Sequence, residues 1–414
     1  MVVSAQEKLK FLRSRHGLSQ EKLGEKTGIS RSHIANLETL ETNWHEEYLA
    51  LFAAYFKLPK HYFTEAKPDG EASKGFQQIW KLLFYRQLDH ITSSHLSLLK
   101  KPYHQLEQEL EAQLLLGIYY FKTFAFDEAI AIKTSYVDNY LDLFGKPSEL
   151  RAQLWLLYFE IQYHKYVTDY EAGVQAAVAL DKLLTDERDK LVLKLTFILL
   201  YFKWDKVEKV YELMMPIKSA ILELGVDTVT AEYYVFFSAT SIRLKLYNQA
   251  LEVLEELEVL SKRAGLTDSL AKSYQHRGTL FGRERREFEK AIDYHKKGLA
   301  LVPDSEKGPY YRSIITNLCH LKRFEEAAAM LATTVSLPMT HEIRMGLLVL
   351  EGQVALYQGD MVAHKRAYKE SLDYFKVRND SIVLRYIYTY LGDYYSEQNK
   401  FKKASEYYKI RDEL

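Results

Sequence analysis

Four stretches of this chain repeat one pattern: LLGIYYFKTFAFDEAIAI (115–132), ATSIRLKLYNQALEVL (239–254), RSIITNLCHLKRFEEAAAM (312–330) and YLGDYYSEQNKFKKASEYY (390–408). Each reads as an apolar helix, a short turn bearing Lys or an aromatic, and a small Ala opening a second helix. The key alanines are Ala129, Ala250, Ala291, Ala327 and Ala404. From 250 to 291 to 327 the steps are 41 and 36 residues, and the longer gaps of 121 and 77 divide into steps of the same size. Such a period restricts the chain to a solenoid, because one hairpin cannot bury its apolar face without neighbours.

The final copy carries the fullest signature. Leu391-Gly392, Tyr395, Ala404 and Tyr408 have tetratricopeptide spacing. Gly and Ala suit the point where two helices cross, and Leu and Tyr fill the groove between hairpins. Pro303 and Pro338 fall where a second helix must stop. The copies around 150–215 are degenerate, and the pattern predicts seven to nine hairpins from about residue 76. HEAT-like repeats share the period but leave the Leu-Gly, Tyr and Ala positions unexplained. With only 18 Gly and 8 Pro in 414 residues, long helices are expected.

Lys+Arg and Asp+Glu balance at 56 each, so any nucleic-acid signal has to be local. Cys319 is the sole cysteine and cannot form an internal disulfide. No Cys/His cluster has metal spacing, no Gly-rich phosphate loop is present and no nucleophile sits beside a base. Neither a cofactor nor a catalytic residue is expected, and the chain reads as a non-enzyme. The opening MVVSAQEKLKFLRSRHG lacks the apolar core of a signal peptide, and AQLLLGIYYF (112–121), ten residues long, is among the longest apolar runs. A soluble, cytoplasmic protein with no membrane partner is expected.

The first sixty residues read differently. Ser4 and Glu7 have capping-box spacing before a helix with Leu9, Phe11 and Leu12. Ser19 can cap QEKLGEKT, Gly28-Ile29 makes a corner, and Ser30 can cap RSHIANLE. A fourth helix near 45–56 adds Tyr48, Leu49, Phe52 and Phe56. This is a helix-turn-helix within a small bundle. The first residues of a recognition helix reach base edges in the major groove; here they are Arg31, Ser32 and His33, with Asn36 one turn on. Arg pairs with guanine and Asn with adenine in two-point contacts. Gln20 is placed to touch phosphate or to brace the recognition helix. Residues 1–36 carry seven Lys/Arg and three Glu, whereas 37–66 carry two Lys and five Glu, so the positive side is the DNA side.

LRSRHGLSQEKLGEKTGISRSHIANLE resembles the phage-repressor type of helix-turn-helix, the Cro/C1 or XRE family, in its LSQ-x-x-L and G-I-S-R-S-x-I-x-x-L-E segments. Gly24 replaces the usual small Ala, and Trp44 stands where the loop often carries Pro. The domain reading is a DNA-binding domain over 1–66, a hinge over 67–75 within TEAKPDGEASKG, and a repeat domain over 76–414 for peptide binding and dimerisation.

The concave face of such a stack is lined by the first helix of each hairpin and suits an extended peptide. Candidate contacts are Tyr274, Arg277, Arg312, Asn317, His320, Gln353, Arg385 and Tyr388, alongside Tyr234, Ser238, Ser241, Gln275 and Thr316. Asn can pair with both groups of a peptide bond, and Arg can take a carboxylate by two parallel bonds. Asn317 is the first candidate; His276 and the other histidines are expected at the surface.

This order of domains resembles the RRNPP family of peptide-responsive transcriptional regulators, and in its length and repeat number the NprR branch more than the shorter PlcR type. The resemblance implies a cytoplasmic quorum-sensing homodimer or higher homo-oligomer, an inverted-repeat operator in double-stranded DNA, and a short signalling peptide. Two alternatives stay open: a peptide-controlled repressor of a phage or conjugative element, and a protein-interaction module acting on a response regulator.

Overall fold

A computed structural model of the chain describes residues 4–39, 44–64, 68–103, 105–378 and 380–414. Every regular element among them is helical, and the chain divides into two compact units, Met1–Thr230 and Ala231–Leu414.

The first unit opens with α1 (Ala5–Arg15), α2 (Gln20–Thr27), α3 (Arg31–Thr39) and α4 (Glu46–Tyr55), followed by a 3₁₀ turn at Lys60–Phe63. The predicted caps form. Ser4 and Glu7 close a capping box on α1, and the Ser19 hydroxyl accepts from the Lys22 N–H. The Ser30 hydroxyl accepts from the His33 N–H. Leu9, Leu12, Leu23, Ile34, Leu37 and Phe52 make the core of this small domain. Gly24 has a structural cause: a Cβ there would collide with the Ile29 carbonyl, so the α2–α3 corner is closer than Ala allows. Trp44 stacks on Phe63 with ring centres 5.6 Å apart.

The remainder of this unit is α5 (Gly70–Phe84), α6 (Ser93–Lys100), α7 (Leu106–Lys122), α8 (Phe126–Ile132), a π-helical turn (Lys133–Val137), α9 (Asp138–Phe144), α10 (Leu150–Tyr166), α11 (Tyr170–Leu183), α12 (Glu187–Lys203), α13 (Val207–Met214), α14 (Lys218–Glu223) and the start of α15 (Asp227–Arg243). Residues 70–75, read from the sequence as part of a hinge, instead begin α5. The Asp69 carboxylate accepts from the Glu71 and Ala72 N–H groups, and Gly75 makes room for Leu98, 2.5 Å from where a Cβ would stand. Residues 65–67 of the same stretch lie outside the described residues.

The second unit holds the rest of α15, then α16 (Tyr247–Ala264), α17 (Thr267–Thr279), a π-helical turn (Leu280–Glu284), α18 (Phe288–Leu299), α19 (Gly308–His320), α20 (Phe324–Thr333), α21 (His341–Gln358), α22 (Met361–Val377), α23 (Ser381–Glu397) and α24 (Phe401–Asp412).

One device closes the hairpins of both units. A residue with positive φ ends the first helix of each: Phe124, Thr168, Asp205, Lys245, Arg286, Lys322, Gly359 and Asn399. Five residues later the second helix buries a residue at the crossing: Ala129, Gly173, Val210, Ala250, Ala291, Ala327, His364 and Ala404. The anticipated alanines all fall on this register. The copies hidden from a sequence search are those with Gly173, Val210 and His364. His364 substitutes a polar solution, its Nδ1 lying 2.9 Å from the Gly352 carbonyl oxygen. Gly392 serves Tyr408, whose ring a Cβ would strike and whose hydroxyl donates to Asp393 at 2.7 Å.

Candidate functional site

The helix expected from sequence to read DNA is α3. Arg31, Ser32 and Asn36 are exposed there, as a base-reading helix requires. Gln20 is occupied: its amide donates to Glu38 at 2.9 Å, and Arg13 grips the same carboxylate with bonds of 2.5 and 2.9 Å. That places Gln20 as a brace between α2 and α3. His33 departs from the expected position. It is half-buried, with its ring centre 5.0 Å from that of Tyr48, and packs α3 against α4.

In the second unit a cavity of about 450 Å³ opens along α17, its π turn, α18, α19, α21 and α23. Its polar lining is Thr279, Arg283, Arg286, His295, Arg312, Ser313, Thr316, Asn317, His320 and Tyr386, with Phe288, Val349, Leu350, Ile382 and Val383 supplying apolar wall. Among the described residues no Asp or Glu lines it. Arg286 and Arg312 form no ion pair with a described residue, and Arg283 has only a long contact to Glu284 at 3.7 Å. The hydroxyls of Ser313 and Thr316 are turned to their own helix, onto the Pro309 and Arg312 carbonyls at 3.0 and 2.8 Å.

Three glycines seat the polar side chains. A Cβ on Gly278 would stand 2.6 Å from the His295 ring, one on Gly282 would collide with the Asn317 amide oxygen, and one on Gly346 would reach Arg312 at 3.0 Å. Asn317 also donates to the Ser313 carbonyl at 2.7 Å, which fixes its orientation. His320 stacks on Phe288 with ring centres 4.8 Å apart. Burial pushes the His295 pKa down to about 4, so it is neutral near pH 7, and its buried Nδ1 has no hydrogen-bond partner among the described residues.

Of the peptide contacts expected from sequence, Arg312, Asn317, His320 and Thr316 line this cavity and the others do not. Tyr274 and Arg277 are engaged with Glu258, at 3.2 and 3.3 Å. Gln353 stands behind the wall and accepts from Tyr386 at 2.6 Å. On α23 the face turned to the cavity carries Ile382, Val383 and Tyr386; Arg385 is exposed elsewhere and Tyr388 is 4% exposed in the core. Ser238 and Ser241 are fully buried, and His276, expected at the surface, turns its Nδ1 to Ser238 at 2.9 Å. Sequence reading missed Arg283, Arg286, His295 and Tyr386. The available signal was the in-helix glycines 278, 282 and 346, which mark where side chains of a neighbouring helix lie flat on the backbone.

No helix among the described residues is long and apolar enough to cross a membrane, and no described group of His, Cys, Asp and Glu could hold a metal ion. The Helix-turn-helix family matches residues 9–63. No curated protein matches the chain in sequence. Solved structures do match in fold. A Rap protein complexed with Competence and Sporulation Factor aligns with a TM-score of 0.62 at 11% identity, over 83% of this chain and 97% of its own. Aspartyl phosphate phosphatase F from Bacillus subtilis aligns with 0.54 at 13%, over 84% and 95%. The Rap conjugation gene regulator of the plasmid pLS20, in complex with the Phr* peptide, aligns with 0.51 at 12%, over 83% and 96%. The chain is therefore an all-helical protein in which a helix-turn-helix DNA-binding domain of the XRE type precedes helical repeats with the fold of the Rap proteins.

Proposed function

We propose that this protein is a cytoplasmic, peptide-responsive transcriptional regulator of the RRNPP kind. A homodimer reads an inverted-repeat operator through Arg31, Ser32 and Asn36, and a short signalling peptide occupies the cavity of the second unit. The observation that carries the peptide half is the cavity wall. It is cationic, free of acidic residues among those described, and furnished with Asn317 and a neutral His295. A peptide supplies what that wall lacks: carboxylate for the arginines and backbone N–H and C=O for the amide and the imidazole. The Rap conjugation gene regulator of the plasmid pLS20, similar in fold, was solved in complex with the Phr* peptide, which supports the same reading. Control then requires two shapes of the repeat with unequal peptide affinity.

The test is selection from a random duplex DNA pool by the full chain. It is run alone and with a synthetic library of short peptides carrying either free or amidated C-termini. The expected outcome is an inverted repeat whose enrichment changes with the free-carboxylate library. Enrichment indifferent to both libraries removes the peptide half, and no enrichment under any condition removes the DNA half.

A further inference from the structure

The first turn of α7 buries four polar side chains in a run of five residues: Glu107, Gln108, Glu109 and Glu111. Helix starts on a surface carry such residues routinely; a buried one does not, because each side chain then needs a partner. Here each has one, and the partners belong to different parts of the first unit. Glu107 accepts from the Glu149 N–H at 3.1 Å and from the Ser148 hydroxyl at 2.9 Å, at the start of α10. Glu111 takes Arg151 of α10 in a two-point pair of 2.7 and 2.8 Å. Gln108 pairs with both backbone groups of Asp69, accepting from its N–H at 2.9 Å and donating to its C=O at 2.7 Å. Glu109 accepts from Arg15 of α1 at 3.1 Å and from the Tyr62 hydroxyl at 3.0 Å. One helical turn therefore holds the DNA-binding domain, the strand of chain leaving it and the next hairpin.

Apolar contacts surround the Glu109 pair. Phe11 is fully buried but stands apart from the core of the DNA-binding domain. It packs edge-on against Tyr136 and Tyr140, with ring centres 4.9 and 6.4 Å away. The Arg15 guanidinium lies 4.7 Å from the centre of the Tyr136 ring, and the Ser14 hydroxyl donates to Asn139 at 2.7 Å. Tyr136 comes from the π turn 133–137, whose Lys133 is tied to Asp138 and, at 3.6 Å, to Glu160 of α10. The extra residue of a π turn shifts the helical register, and such turns occur often at functional positions. Meanwhile Arg31, Ser32 and Asn36 stay exposed, so the docked surface is not the reading surface.

We infer that the first turn of α7, with the 133–139 segment, is a clamp that fixes the DNA-binding domain to the repeat with its reading helix outward. The reader and the first hairpins of its own unit move as one body, and a shape change in those hairpins moves the reader without releasing it. The inference does not depend on which peptide or operator is used.

The test measures distances by electron spin echo in the full chain. Spin labels go on Glu25→Cys in α2 and Glu128→Cys in α8, both exposed positions. Cys319 is buried, and burial pushes its thiol to about 12, so it stays unlabelled. Labelled chains are diluted into unlabelled ones, so that only intramolecular pairs report. A single narrow distance peak is expected. Arg15→Gln, which breaks the clamp from the reader's side, and Gln108→Ala with Glu109→Gln, which breaks it from the repeat's side, are each expected to lose that peak while α3 amides keep their exchange protection. A broad distribution in the otherwise native chain overturns the inference, as does a narrow peak surviving in both variants. Loss of α3 protection in both also overturns it, because the contacts would then maintain the reader's fold and not its position. No arm requires DNA or peptide, so a failure of the proposed function is read separately.

Discussion

The first turn of α7 and the cavity of the second unit are both polar clusters inside a stack of helices, and their charges are balanced in opposite ways. Around α7, Glu107, Glu109 and Glu111 each meet a donor or a cation. Among the described residues, one loose end there is the buried Tyr136 hydroxyl, which lies beside Glu109 without a well-formed hydrogen bond. In the cavity, Arg286 and Arg312 have no acidic partner among the described residues, and a buried imidazole nitrogen has none either. Burial of a charge is tolerated when its partner is built into the same fold. A cluster left short of one sign, but open to solvent, is held in readiness for something from outside. The first kind of cluster contributes stability and the second is the proposed binding site, and mutations separate the two.

The largest stability effect is expected for Arg15→Met. It leaves Glu109, which is 4% exposed, as an uncompensated buried charge, and the loss should be about 3 kcal/mol for the first unit. The reverse truncation, Glu109→Gln, should cost less, because Arg15 keeps partial access to water. The pH dependence gives the sign. Burial already raises the Glu109 pKa above its ordinary value, with Arg15 opposing that rise. Removing Arg15 raises it further. A group whose folded pKa is raised loses stability as pH climbs through that pKa, so Arg15→Met should be penalised more at pH 8 than at pH 5. Chemical denaturation at the two pH values measures this, and an equal penalty at both would mean that Glu109 is not buried as a charge.

Next comes Gly282→Ala. The new methyl displaces the Asn317 amide from its seat, an overpacking cost of about 1–3 kcal/mol. The same substitution should narrow the cavity, so peptide affinity and melting temperature fall together. Retained affinity with lowered stability would place Asn317 outside the binding surface.

A smaller effect is expected from acid. His295 and His276 are both held down to about 4 by burial, so the folded chain leaves them neutral while the unfolded chain protonates them near 6.5. Their contribution is complete above pH 6.5 and is lost as pH falls toward 4. At pH 5.5 each should account for about 1 kcal/mol of destabilisation. His295→Gln should flatten the pH profile by its own share; a profile unchanged in this variant would show that its ring is hydrated in solution.

The same two clusters show what the sequence could and could not disclose. The helical hairpins were legible from five alanines, since a crossing point admits little else. Gly173, Val210 and His364 hid three more because the crossing can also be met by no side chain, by a fully buried Val, or by a polar bond. The turns were illegible because their positive-φ residues are mostly Lys, Arg, Thr, Asp, Asn and Phe in place of Gly. The helix-turn-helix was legible down to its caps, and the half-burial of His33 was not, because Tyr48, one helix away, supplies a packing surface. On α23 the difference between expectation and structure is one of register. Tyr388 and Tyr386 look alike in sequence, and only the apolar neighbours that draw Tyr388 into the core decide which of them meets the cavity. Nothing in QLEQELEAQ betrays a clamp, because glutamates near a helix start look the same whether they face water or arginine.

The smallest stability effect and the sharpest test of the comparison is Arg312→Gln. The Arg312 side chain lies along Gly346, half-exposed, with its charge unpaired among the described residues. Its removal breaks no native ion pair and leaves no buried group orphaned, so the melting curve should shift by less than about 0.5 kcal/mol. Binding should respond on another scale. A guanidinium that meets a ligand carboxylate in a desolvated pocket contributes about 2 kcal/mol or more, which is a loss of roughly thirtyfold or greater in peptide affinity. Titration calorimetry with a peptide recovered from the free-carboxylate library measures this directly. Its C-terminally amidated form is the partner arm: if the carboxylate and Arg312 meet, amidation should weaken the native protein and leave Arg312→Gln almost unaffected. Equal sensitivity to amidation in both proteins would assign the carboxylate to Arg283 or Arg286 at the rim. A loss of stability without a loss of affinity would turn the cavity into a second structural cluster, and the contrast with α7 would be gone.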